Sequence, residues 1–300
     1  MTEQQLQEKS RWSSRERILA YRAKQKRRQA IVFGLFGFAA LLAVSVLFVI
    51  IGYIVVKGAP SITWEFLSGS VKDSGREGGI LPIIINTLYL VIGGLVLAVP
   101  LSLLAALYMT EYARQGALIS VIRFFTTNLS GIPSIIFGLF GYMFFGKLLG
   151  WSWSLLSGCS TIAIVILPTL IRTYEEAILT VPASYKEGSL ALGATKWRTL
   201  VRVVVPAAAP GIVSGTVLGI GRIVGETAAL FFTLGSFTKV ATSLFDSARP
   251  LALHLYMLIT EVAAVDKAYA TATVLIVIVL ILNLIAGAMG SRASRFKEGR

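Results

Sequence analysis

Six stretches of this chain are each apolar for long enough to cross a bilayer, and that leaves very few architectures open. They span residues 31–56, 81–109, 129–149, 153–179, 203–230 and 268–289. A helix needs about 20 apolar residues to cross roughly 30 Å of hydrocarbon. The sixth is the cleanest, with nine consecutive Val, Leu and Ile residues from Val274 to Leu282. Lipid offers the backbone no hydrogen bonds, so continuous runs of this length must be helices. The predicted fold is all-α: a polytopic membrane protein of six transmembrane helices in one bundle. Composition agrees, since 14% of the 300 residues are charged against about 25% in a soluble domain.

Sidedness follows from Lys and Arg in the short loops. With the N-terminus inside, the inner segments carry Lys9, Arg11, Arg15, Arg17, Arg22, Lys24, Lys26, Arg27 and Arg28. They also carry Arg114, Arg123, Lys186, Lys196, Arg198, Arg202, Arg292, Arg295, Lys297 and Arg300. The outer loops hold Lys57, Lys72, Arg76, Lys147, Lys239, Arg249 and Lys267. Both termini are therefore expected in the cytoplasm, with the chain crossing the membrane an even number of times. Residues 1–30 read as a basic cytoplasmic segment, 31–290 as the membrane domain and 291–300 as a cytoplasmic tail. The net charge of +13 is concentrated before the first span, which favours anchoring on anionic lipid over nucleic-acid binding.

Several chemistries lack their raw material. There is one cysteine, Cys159, and one histidine, His254. That argues against a disulfide framework, a resident metal and a clustered nucleophile and base. Cys159 reads as a packed thiol and His254 as a loop or interface residue. Gly141 to Lys147 has the outline of a phosphate-binding loop. It is followed by Leu148 where Ser or Thr belongs, and sits at the outer end of a span with no soluble strand before it. No enzyme activity and no directly bound cofactor are expected.

Two outer loops look structured. Residues 57–79 are polar, with Trp64 and Phe66 as interfacial anchors. Residues 231–267 include an apolar stretch, 251–265, suited to a short helix at the membrane surface or dipping into it.

The loop at about 181–203, between spans four and five, is predicted to fold as a compact knob. Ser184 stands three residues before Glu187, the spacing of a capping box. Gly193 permits a tight turn, and a second short helix begins near Ala194. The fifth span carries Gly211, Gly215 and Gly219 at spacings of four, then Gly221 and Gly225. Small residues so spaced allow close helix approach, either within the subunit or against a partner.

Charges inside spans are costly and usually functional. Arg172 stands four residues before Glu176 with Glu175 alongside, and Arg222 stands four before Glu226, so each set shares a helical face and can pair. For Arg172, Glu175 and Glu176 a self-neutralised pin for the bundle and a place in a substrate pathway both stand. Arg222 and Glu226 lie deeper and read as the pathway itself. The arginine fork suits phosphate oxygens, and hydrogen phosphate has a proton for Glu226 to accept, which sulfate lacks.

The loop and the charges together carry a resemblance. Glu187-Gly188-Ser189, then Gly193, then Val203 to Pro206 keeps the spacing of the coupling loop of ABC-importer permeases. Gly188 and Ser189 replace that loop's two alanines, and Val203 and Val205 its isoleucine and leucine. Gly221-Arg222-Ile-Val-Gly225-Glu226-Thr-Ala resembles a signature of the phosphate permeases within that family, with Ala229 in place of its proline. Asn128 to Gly141 and Ile171 to Glu175 fit the same family. The resemblance implies a permease subunit of an ATP-driven phosphate importer. It implies a second permease resembling PstC, ATPase subunits resembling PstB that use ATP and magnesium, and a phosphate-binding protein resembling PstS. Glu187 and Gly193, with Gly188, Ser189 and Trp197 on the same knob, would meet the ATPase. A permease for another oxyanion, a stand-alone carrier and a membrane scaffold are the alternatives.

Overall fold

The computed structural model describes the backbone of residues 3–113 and 116–298. Arg114 and the charged side chains at 9, 11, 15, 17, 22, 24, 27, 292, 295, 297 and 300 lie outside the described residues. The chain divides into two units, 1–54 and 55–300. The first holds most of helix α1 (Glu3–Gly58), so the basic leader runs into the first apolar stretch as one helix. From Ile31 to Ile50 every side chain is exposed, the pattern of a helix that is apolar all round and meant for lipid.

The second unit opens with α2 (Trp64–Ser68) and a small antiparallel hairpin, β1 (Val71–Lys72) against β2 (Glu77–Gly78). The first outer-loop anchor is confirmed as exposed and the second is not. Trp64 is 82% exposed, but Phe66 is buried with Ile80, Ile83, Leu251, Ala270 and Val274. Burying an aromatic ring in that small core is worth more than leaving it at an interface.

The main bundle is built from α3 (Leu81–Leu107), α6 (Leu155–Leu179), α9 (Val205–Gly225) and α12 (Val265–Glu298). Helix α6 is the most enclosed, packed on both α3 and α9. Tyr174 of α6 is fully buried, with its hydroxyl 2.7 Å from Thr216 Oγ1 of α9. Thr216 already donates its one proton to Ile212 O, so Tyr174 donates and Thr216 accepts.

Two expected spans are broken. Residues 129–149 do not form one helix. Helix α4 (Ala117–Leu129) and helix α5 (Ser134–Gly141), which runs on through a π turn to Leu148, meet at a bend of 104°. Pro133 cannot donate to the ladder of α4 and disfavours helical backbone in the residue before it. The fifth span also stops early. Helix α9 ends at Gly225, Glu226 is extended, and α10 (Ala228–Thr233) starts afresh. Among the described residues, five helices are thus long and apolar enough to cross a membrane, or six if the bent pair counts as one.

Between α6 and α9 lies the knob: α7 (Ala183–Ala191), a turn, and α8 (Lys196–Thr199), which continues through a π turn into α9. The capping box does not form. Pro182 precedes the first residue of α7 and no side chain caps it, because the helix starts one residue ahead of Ser184. Helix α8 begins at Lys196, close to the expected Ala194, and is capped by the Thr195 hydroxyl, which accepts the Arg198 N–H at 3.3 Å. At the far end of the bundle, α11 (Leu251–Thr260) is the short apolar helix expected after residue 250. It buries His254, which is 1% exposed rather than a loop residue.

Candidate functional sites

The knob presents its predicted residues outward. Glu187 is exposed and has no hydrogen bond or ion pair among the described residues. A Cβ on Gly188 or Gly193 would meet nothing within 4 Å. Gly193 turns the chain at φ +83°, a left-handed conformation that side chains resist. Trp197 is 54% exposed and Leu192 90%. Ser189 alone faces inward, its hydroxyl 2.9 Å from that of Thr199, tying α7 to α8.

Sequence reasoning missed what holds the knob to the bundle. Lys186 of α7 pairs with the carboxylate of Glu111, and the ammonium of Lys196 donates to the Glu111 carbonyl while lying over the Tyr112 ring at 4.7 Å. Glu111 belongs to the π turn Tyr108–Tyr112 that ends α3. Both members of the Lys186–Glu111 pair are largely shielded from solvent, which strengthens it over a surface pair. A signal existed: Glu111 is the lone carboxylate closing an apolar span, next to a loop rich in lysine and arginine.

The glycine stripe of α9 divides in two. A Cβ on Gly211 would stand 2.5 Å from the Ala177 Cβ, on Gly215 2.9 Å from Thr173, and on Gly219 3.2 Å from Leu170. These three glycines therefore seat α9 against α6 of the same chain. Gly221 and Gly225 face open space.

The charged sets also part company. Arg172 Nε donates to Glu176 Oε1 at 3.4 Å, both side chains well exposed. Glu175 turns the other way and pairs with Arg123 of α4, a residue the sequence had offered only for sidedness. Arg123, Arg172 and Glu175 line a cavity of about 280 Å³ together with Met109, Thr126 and Thr127. Arg222 and Glu226 do not pair. The helix ends between them, and Glu226 Oε1 instead accepts the Ala229 N–H at 3.2 Å, capping α10. Arg222 is exposed on the bundle and has no hydrogen bond or ion pair among the described residues.

At the opposite end from the knob, Arg249 and His254 form a buried couple. Arg249 Nε donates to Ser236 O at 2.9 Å, and its Nη1 lies 3.4 Å from His254 Nδ1. Burial, with Arg249 beside it, pushes the His254 imidazole down to about 4. A guanidinium can only donate, so Nδ1 accepts and the proton of the neutral ring sits on Nε2. The phosphate-loop outline at Gly141–Lys147 is a helical π turn, with the Lys147 ammonium 5.4 Å from the centre of the Tyr142 ring.

Residues 98–295 match the family described as binding-protein-dependent transport system inner membrane component. The chain is 32% identical over 274 residues to the probable ABC transporter permease protein YqgI of Bacillus subtilis, covering 86% of this chain and 93% of that one. It is 30% identical to the phosphate transport system permease protein PstA of Mycobacterium leprae, covering 94% of each. Among solved structures, a chain of a bacterial alginate ABC transporter superposes over 85% of this chain and 93% of its own, with a TM-score of 0.63 at 19% identity. The family match takes in the broken third span, the knob and the close-packed α6–α9 pair together. The chain is accordingly a multi-pass inner-membrane protein and belongs to the family of binding-protein-dependent transport system inner membrane components.

Proposed function

We propose that the chain is the transmembrane permease subunit of an ATP-driven importer of inorganic phosphate. The observation that carries this reading is Arg222: a cation in the last turn of α9 with no hydrogen bond or ion pair among the described residues, in a chain about 30% identical from end to end to a phosphate permease. An unpaired arginine among apolar helices is expensive and is best understood as the receiver of an anion. Its planar fork matches two phosphate oxygens at once.

On this reading the knob faces the cytoplasm, as do both termini. Residues 1–30 and 291–300 flank a membrane domain at 31–290. Two ATPase subunits resembling PstB dock on Glu187, Gly188, Gly193 and Trp197 and hydrolyse ATP with magnesium. A phosphate-binding protein resembling PstS delivers the anion at the other face. A permease resembling PstC completes the pathway and lies against Gly221 and Gly225. Arg172, Glu175, Glu176 and Glu226 line or shape the same route. The chain itself makes and breaks no covalent bond and holds no cofactor.

The test is uptake of labelled phosphate into vesicles carrying the chain and its co-encoded partners. Uptake that requires ATP and is indifferent to excess sulfate is the expected result. Uptake of neither anion by a complex that still hydrolyses ATP would discard phosphate as the substrate.

A further inference from the structure

Arg123, Arg172 and Thr127 offer the donors of a second anion site, distinct from Arg222 and closer to the knob. The helix contacts give its level. Gly219 packs on Leu170, Gly215 on Thr173, and Ile223 lies with Ile162 beside Gly94. Arg222 is thus level with residues 162–166 of α6, and Arg172 lies roughly 10–15 Å nearer the knob at the helical rise of 1.5 Å per residue.

The site is built from two helices. Ile119 and Ile122 of α4 pack with Met109, Leu167 and Ile171. That contact brings the polar face of α4, with Arg123, Thr126 and Thr127, against the turn of α6 that holds Arg172 and Glu175. Thr126 spends its proton on Ile122 O, whereas the Thr127 hydroxyl has no hydrogen bond among the described residues. Among the described residues Arg172 commits only its Nε, to Glu176, so its terminal amino groups are available. Arg123 is held by Glu175, whose side chain is 13% exposed at the edge of the cavity.

We propose that this cavity is an exchangeable oxyanion site whose resting occupant is the Glu175 carboxylate. An incoming phosphate takes the place of that carboxylate on Arg123 and is held also by Arg172 and Thr127. When the anion leaves, Glu175 closes back on Arg123. A conduction path needs sites that bind well enough to fill and weakly enough to empty. Among the described residues Arg222 has no internal competitor; Arg123 has one, and so releases what it receives. The proposal rests on the phosphate-permease reading and assigns the last site before discharge.

The experiment uses the assembled transporter without nucleotide, in phosphatidylcholine vesicles, with inorganic phosphate as the probe and bound phosphate measured by equilibrium dialysis. Glu175→Gln and Arg123→Gln break the same ion pair, so a purely structural pair predicts the same outcome for both. The exchange site predicts opposite ones. Glu175→Gln should raise phosphate affinity about tenfold and slow ATP-driven uptake through retention. Arg123→Gln should lower affinity about tenfold, with Arg123→Lys between it and wild type. The opposed shifts should persist in raised potassium chloride, where diffuse charge effects are screened. Equal shifts, or shifts abolished by salt, in a complex that still transports phosphate would overturn the site while leaving the function standing. Occupancy by added phosphatidylglycerol with no competition from free phosphate would also overturn it, by assigning the cavity to a lipid headgroup.

Discussion

Lys186 on the first helix of the knob is ion-paired with Glu111 at the end of α3. The knob is therefore fastened to two places in the bundle: to α6 and α9 by the chain itself, and to α3 by this carboxylate. Motion imposed on the knob reaches α3 without passing through α9. Glu111→Gln should leave the ATPase bound but reduce uptake per ATP hydrolysed by about fivefold or more. Lys186→Glu should do the same, and Glu111→Lys combined with Lys186→Glu should recover most of the loss. Tight coupling in both single variants, measured as phosphate moved per ATP, would remove Glu111 from the transmission.

Arg222→Ala should abolish phosphate uptake while the complex assembles, because the side chain is exposed and makes no hydrogen bond or ion pair among the described residues. Arg222→Lys should retain a small fraction, since an ammonium keeps the charge and loses the fork. Transport at the wild-type rate in Arg222→Ala would take the residue out of the pathway.

Gly193 occupies a left-handed turn at φ +83° with open space beyond it. Gly193→Ala should strain the turn by about 1–2 kcal/mol and weaken ATPase capture. Gly193→Asn, which tolerates this conformation, should be milder, and Gly193→Trp should be the most severe because it also adds bulk to the proposed docking face. Co-purification of the ATPase, normalised to permease, ranks the three; any other order argues against the docking assignment.

Gly215 meets α6 so closely that a new Cβ would stand 2.9 Å from Thr173 Cγ2 and 3.0 Å from Tyr174 Cε1. Gly215→Val should cost about 1–3 kcal/mol through overpacking and lower the melting temperature in detergent. Gly225→Ala, with nothing within 4 Å of its Cβ, should leave the melting temperature of this chain alone unchanged.

His254 supplies a pH signature. Its folded value of about 4 lies below its ordinary 6.5, so the unfolded chain binds the proton more readily. Stability from this group is complete above pH 6.5, falls as the pH drops from 6.5 to 4, and levels off below. The full span is on the order of 3 kcal/mol. His254→Gln should flatten the difference curve over that window, read from thermal unfolding at a series of pH values. A variant as acid-sensitive as wild type would show that the ring is not the group responsible.

The straight spans, the all-α class and the existence of the knob were legible because each rests on local signals: apolar length, loop charge and a glycine turn. Two kinds of feature were not. The breaks at Pro133 and Glu226 lie inside apolar runs, where hydropathy continues although the helix stops. The partners of Glu175 and Lys186 come from residues 52 and 75 positions away, beyond any helical spacing. Spacing of four suggested that Arg222 pairs with Glu226, and that inference fails because it assumes an unbroken helix. The same spacing serves Arg172 and Glu176, where the helix continues.

The seam of Gly211, Gly215 and Gly219 makes α6 and α9 into a stiff two-legged lever with the knob as its handle. Because the legs are pressed together along their length, they cannot slide or bend independently, and a push on the handle must tilt both. Arg222 sits roughly 25 Å along α9 from its start at Val205, so a tilt of about 5° displaces it by around 2 Å. That is enough to make or lose a hydrogen bond to an anion. On the proposed function, the stroke of a distant ATPase would be converted into the capture or release of a single ion by a hairpin that keeps its own shape.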